Sequence, residues 1–215
     1  FLCVKGYDLP VSCGTLAGAV GPSGVVLPLL NGADLYERVR SVIRTGTVLP
    51  AGIYISSSVT GPGVVVHSGG KGNIFLGREP GSGGAEGFDP TALLTLLSAA
   101  QIPHEWSEDP MPAVWTKYLF IASYGLVTGL SGKTVGEVMA DATLAELTRS
   151  IQREIATLAA GKGIVLCADA ATAAFEKGKA YPPTTKSSFQ RDLEVPGKPN
   201  EGDLFSAVNA ARASA

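Results

Sequence analysis

Lys117 is the only charged residue between Pro112 and Leu130, in the run PAVWTKYLFIASYGLVTGL. An ammonium group among Trp115, Tyr118, Leu119, Phe120 and Ile121 either extends along its stem to water or stays desolvated, where its pKa falls and it can donate a proton near neutrality. Surface lysines are the commoner case, so the chemical reading draws its weight from residues elsewhere in the chain. Lys5 and Asn31 each end an apolar run, FLCVK and VVLPLLN. In an open α/β sheet a polar residue just past the carboxyl end of a strand is placed to touch a ligand. Each is followed by glycine, and Asn-Gly is also a favoured turn pair, so a purely turn-making role stays open. Toward the other end, KSSFQRD (186–192) supplies hydroxyls able to bind a carboxylate or a hydroxyl group, and Ser188 is the candidate there. NEGD (200–203) reads as a helix start, which explains Asn200 and Asp203. It does not oblige a carboxylate at Glu201, although a solvated first-turn glutamate is common.

The elements that must position these residues change character along the chain. FLCV, a helical pattern over 9–20, VVLPLL (25–30) and a second helical pattern over 33–43 alternate as parallel α/β units do, with strands covered on both faces. Three further strand-like runs, 52–59, 63–69 and 73–77, are separated by Gly and Pro and predict an antiparallel edge or meander. GREPGSGGAEG (77–87) reads as a surface loop with nothing to pack. A helix is expected over 90–101. From Pro110 the strand signals stop, and helices are predicted over 112–130, 134–139, 142–161, 168–177 and 203–212, the long one stopped by Gly161 and Gly163. The expected class is therefore α/β followed by all-α, with 1–109 and 110–215 as the two domains and a ligand cleft between them.

Bulk properties narrow the function. At 215 residues with 45% hydrophobic content the chain supports a packed core, and a net charge of −2 without like-charge runs leaves no basic footprint for nucleic acid. Neither long uncharged stretch, 9–33 or 45–70, can span a membrane, because Gly, Pro and Ser interrupt both. Cys3, Cys13 and Cys167 lack disulfide or metal spacing and read as buried free thiols of a reducing cytoplasm. His67 and His104 stand alone, so no metal is expected. No Gly-x-Gly-x-x-Gly opens a helix after a strand. Because the chain begins with FLCV, as if inside a buried strand, it reads as a fragment whose phosphate loop would precede Phe1.

In order along the chain, VKGYD (4–8), PLLNGAD (28–34), GPGVVVHSGG (61–70), PAVWTKYLFI (112–121), TVGEV (134–138), REIATLAAGKGI (153–164) and SSFQRD with GKPNEGD (187–203) resemble the ketopantoate reductase family. The resemblance runs over essentially the whole chain. It implies the C-terminal part of a Rossmann-type nucleotide-binding domain followed by a helical domain like that of 6-phosphogluconate dehydrogenase. It implies NADP(H) as cofactor, a 2-keto acid as substrate and reduction of 2-dehydropantoate to pantoate for pantothenate synthesis in the cytoplasm, with a homodimeric assembly left open.

Position by position, the resemblance makes Lys117 the general acid that protonates the keto oxygen as hydride reaches carbon. Asn31 would orient substrate and contact the nicotinamide side; Lys5, Ser58 and Glu201 would contact cofactor, and Ser188 substrate. The chemistry is coherent, since hydride addition builds an alkoxide that a nearby cation stabilises and protonates. Some members carry asparagines four and eight residues after the lysine, where this chain has Ile121 and Gly125, and one extra residue separates Asp192 from Glu201. A reductase of another 2-keto or 3-hydroxy acid, or an inert fragment without its phosphate loop, are the alternatives.

Overall fold

A computed structural model describes residues 1–81 and 87–205. The chain divides into two compact units, one comprising 1–4, 11–30 and 35–110, the other 5–10, 31–34 and 111–215. The division is not a single cut, because two short segments early in the sequence are counted with the later helices.

In the first unit α1 (Leu9–Ala17) and α2 (Leu35–Val42) alternate with short parallel pairings. β1 (Val25–Val26) runs parallel to β2 (Thr47–Val48). The expected first strand is reduced to a bridge between Leu2 and Pro28, yet its ladder is genuine: Leu2 N–H donates to Leu27 O and Leu29 N–H to Leu2 O, both at 2.9 Å. Proline at 28 has no N–H to extend the pairing, which is why VVLPLL yields only a two-residue strand.

A second sheet has the order β3 (Ala51–Gly61), β4 (Val64–Gly77), β5 (His104–Ser107), antiparallel then parallel. The antiparallel hairpin was expected; its second arm is one strand rather than the two read at 63–69 and 73–77. Shifts in register between Tyr54 and Ser56 and again between Ser56 and Ser57 absorb the extra residues. Gly70 (φ +75°) and Gly72 (φ +70°) sit in the left-handed region that only glycine enters cheaply. α3 (Thr91–Ala99) covers the sheet through Leu97, which packs with Leu27, Leu49, Ala51, Ile74 and Leu76.

The surface-loop reading of 77–87 fails at its start. Gly77 ends β4, and Glu79 is buried, paired with Arg40 at 2.6 Å and accepting from Tyr36 Oη at 2.9 Å. A carboxylate so placed is compensated on two sides, as burial requires. Residues 82–86 of that segment lie outside the described residues.

The second unit is helical. α4 (Met111–Ser131) packs against α5 (Val135–Ala140), α6 (Ala142–Gly161), α7 (Ala170–Glu176) and α8 (Ser188–Leu193). Being apolar nearly all round, α4 is suited to the centre of a bundle. α5 opens on a capping box between Thr134 and Glu137, and Asp141 Oδ1 accepts from the N–H groups of Thr143 and Leu144 to start α6. Gly163, at φ +76°, ends α6. Its core joins Tyr124, Val127, Val135, Val138, Ala145 and Phe175. Of the helix expected over 203–212 the described part is a 3-10 turn, Gly202–Phe205; the remainder lies outside the described residues. No helix among the described residues is long and apolar enough to cross a membrane. Of the three cysteines only Cys13 is buried; Cys3 and Cys167 are exposed, against the expectation of buried thiols.

Candidate active site

Lys117 is 6% exposed on α4, among buried Val114, Trp115, Tyr118 and Leu119. Burial is the main cause that pushes its pKa down, to about 8; repulsion from Lys177 adds to the fall and attraction to Glu201 opposes it. Desolvation disfavours the charged form, so such an ammonium gives up its proton far more readily than an ordinary lysine. Trp115 Nε1, two residues before it, is buried without a hydrogen-bond partner.

Glu201, 8% exposed, is held by the segment 5–10 of the same unit. Its Oε2 accepts from Lys5 Nζ at 2.8 Å and its Oε1 from the Gly6 backbone N–H at 3.1 Å. Lys5 also donates to Asp192 Oδ2 at 3.1 Å, and Asp192 Oδ1 takes Lys198 Nζ at 2.6 Å. The cluster alternates in sign, Glu201, Lys5, Asp192, Lys198, so each carboxylate is compensated. Burial alone would lower Lys5, but its bonds to Glu201 and Asp192 outweigh that and raise it above the ordinary lysine value. Burial would raise Asp192, but Lys198 and Lys5 outweigh it and hold its carboxyl below the usual range.

Asn31 is half-buried at a bend, and Gly32 after it adopts φ +143°, a conformation that glycine enters readily. Ser188 is the exposed first residue of α8. Capping falls to its neighbour, for Ser187 Oγ accepts from Gln190 N–H at 3.0 Å and lies 2.7 Å from Thr128 Oγ1. Ser188 therefore takes no part in that cap. Ser58 belongs to the other unit, where it is exposed on β3 opposite Val66.

Ile121 is half-buried on α4, and a side chain at Gly125 would press on the Phe205 ring. A Cβ there would lie 3.3 Å from the Phe205 ring, which meets Phe189 edge-on with centroids 4.8 Å apart. At Gly125, two turns beyond Lys117, the surroundings of α4 are therefore aromatic.

Sequence reasoning gave Asp192 no role, passed over Lys198, and missed Lys177. Asp192 sits in the quoted SSFQRD run, and a carboxylate buried on a six-residue helix shows itself only once its two lysines are in place. A recess of about 480 Å³ on the helical unit, lined in part by Arg149, Phe175, Lys179 and Tyr181, includes none of the six predicted site residues. Among the described residues no group of His, Cys, Asp and Glu could hold a metal ion.

An α/β unit followed in the chain by an all-helical unit with a desolvated lysine on its central helix defines a two-part α/β plus α class. The chain belongs to the ketopantoate reductase PanE/ApbA family: the family's N-terminal model matches residues 1–81 and its C-terminal model residues 109–214. It is 24% identical over 199 residues to an uncharacterized oxidoreductase, YkpB, of Bacillus subtilis, covering 93% of this chain and 64% of that protein. The chain thus spans under two thirds of that relative's length. The structure is similar to the PanE/ApbA family ketopantoate reductase from Ralstonia eutropha JMP134 at TM-score 0.85 and 25% identity, covering 99% of this chain and 67% of the other. It also shares its fold with D-mandelate dehydrogenase in complex with NADH, at TM-score 0.86 and 17% identity, covering 99% and 70%.

Proposed function

We propose that the protein carrying this chain reduces a 2-keto acid to the 2-hydroxy acid with a nicotinamide cofactor, and that ketopantoate and NADPH are the physiological pair. The observation that carries this is Lys117, 6% exposed and shifted to about 8, on the central helix of a family-typical helical unit.

The residues present suit the nicotinamide end of such a cofactor. Lys5 spends two N–H groups on carboxylates and keeps 40% of its side chain exposed, so its third N–H can meet a ligand oxygen, and Asn31 offers an amide. When bound, the reduced cofactor supplies hydride to the carbonyl carbon. The protein's part is to place and protonate. Asn31 and Ser188 orient the acid, and Glu201, fixed by Lys5 and the Gly6 N–H, holds its charge toward Lys117. Lys117 donates its proton to the oxygen as that oxygen becomes anionic, and then recovers a proton from solvent. General-acid catalysis of this kind contributes about 100-fold or more.

A second reading concerns the substrate. The Phe205 and Phe189 rings beside Gly125 favour an apolar or aryl 2-keto acid over the hydroxylated ketopantoate. Purified protein is to be assayed by loss of reduced nicotinamide with ketopantoate, branched aliphatic and aryl 2-keto acids. Preference for ketopantoate supports the first reading and preference for the aryl acid the second; no turnover with any 2-keto acid overturns both.

A further inference from the structure

We propose that Lys177 is a second cation of the same site and holds the carboxylate of the 2-keto acid while Lys117 serves its keto oxygen; this rests on the reading of Lys117 just given. Lys177 opens the 3-10 turn Lys177–Ala180 directly after α7 and is half-buried. Its Nζ lies 5.5 Å from the centroid of the Phe120 ring. Phe120 is three residues beyond Lys117 on α4, so the two occupy one helix face about a turn apart.

The turn is held firmly. Gly178 is buried, and a Cβ there would overlap the Tyr124 hydroxyl and lie 2.9 Å from Met139 Sδ. Tyr124 Oη donates to Phe175 O at 2.8 Å, fixing the end of α7 on α4, and Tyr181 stacks on Phe120 with centroids 5.2 Å apart on the far side of the turn. The backbone that carries Lys177 is thus fixed, and the Phe120 ring beneath its ammonium narrows where that group can lie.

Electrostatics point the same way. Lys177 stands close enough for its charge to depress Lys117, and burial depresses Lys177 itself. Two ammonium groups this close repel one another in a partly desolvated region, and a monoanion that reaches both offsets that repulsion. A 2-keto acid carries its two acceptors on adjacent carbons, so paired cations select it over a simple ketone. The assignment also accounts for Ile121 and Gly125: polarity absent from later turns of α4 is supplied from the α7 end.

The test compares the full protein with Lys177→Gln and Lys177→Arg on 2-keto acids and on the corresponding neutral 2-keto amides. For the acids, Lys177→Gln should raise KM at least about tenfold, the worth of one charge-assisted hydrogen bond, with kcat within about threefold. KM for the amides should not move, and Lys177→Arg should restore most of the acid preference. An unchanged ratio of acid to amide KM in Lys177→Gln overturns the proposal. If the unsubstituted protein reduces no 2-keto acid, the catalytic reading falls on its own. Titration with oxamate, followed through the lysine side-chain NMR signals, then decides the matter of Lys177: loss of oxamate binding in Lys177→Gln supports it and equal binding overturns it.

Discussion

Burying Lys117 costs stability and prepares chemistry at once, and the two effects separate with pH. Its folded pKa of about 8 lies below the ordinary 10.5, so between those values the unfolded chain binds a proton that the folded chain does not. Stability therefore rises with pH across that window. Lys117→Met removes the charged-state penalty while keeping the packing. It should raise the melting temperature by a few degrees at pH 7, an advantage that fades toward pH 10, and should lower turnover at least about 100-fold. Thermal melts at both pH values beside turnover measurements check this; a lowered melting temperature would mean the ammonium is not a net burden. As a proton donor Lys117 must be charged, so kcat/KM should be level below pH 8 and decline as pH rises through about 8. Among the charges that act on it, Lys177 depresses it and Glu201 supports it. Glu201→Gln removes the support, and should shift the alkaline limb of the profile to lower pH and reduce turnover.

The elements around the site explain why α8 presents Ser188 as it does. The approach to α8 is pinned to the start of α5: Val135 N–H donates to Thr185 O at 2.9 Å and Gly136 N–H to Pro183 O at 3.0 Å. A Cβ on Gly136 would stand 2.6 Å from Pro183 Cβ and 2.7 Å from its carbonyl oxygen. Gly136→Ala should thus cost about 1–3 kcal/mol, the usual toll of overpacking, seen as a lower denaturant midpoint with unchanged slope. Because the displaced segment leads directly into Ser187 and Ser188, KM should rise as well. The parts of this architecture legible in the sequence were those with long local patterns. α4 and α6 showed their extents through apolar runs, caps and Gly163. β5 escaped notice because HEWS has no strand pattern of its own and owes its conformation to pairing with β4, Ile74 opposite His104 through Gly77 opposite Ser107. α8 escaped because six residues are too few to show a helical period. At the site, chemical type marked Lys117, Lys5 and Glu201, while Asp192 and Lys177 become significant through partners that include Lys5 and Lys117, far from them in sequence.

At the scale of the whole chain, the helical unit is not encoded by the C-terminal half alone. Segments 5–10 and 31–34 are counted with it, and the first supplies two donors to Glu201, Lys5 Nζ and the Gly6 N–H. A polypeptide of residues 111–215 would keep the ion pair of Asp192 with Lys198 but leave Glu201 without these two donors. A buried carboxylate deprived of its partners costs about 1–3 kcal/mol or more. The helical unit should therefore lose its far-UV helicity at lower denaturant in the 111–215 polypeptide than in the full chain. Glu201→Gln sharpens the comparison. In the full chain the substitution breaks a charge-assisted bond and should destabilise; in the 111–215 polypeptide it removes a carboxylate that has already lost those donors, and should be neutral or stabilising. Equal losses in both would show that Lys5 and Gly6 contribute nothing to the helical unit, and that Glu201 is held in place from within residues 111–215.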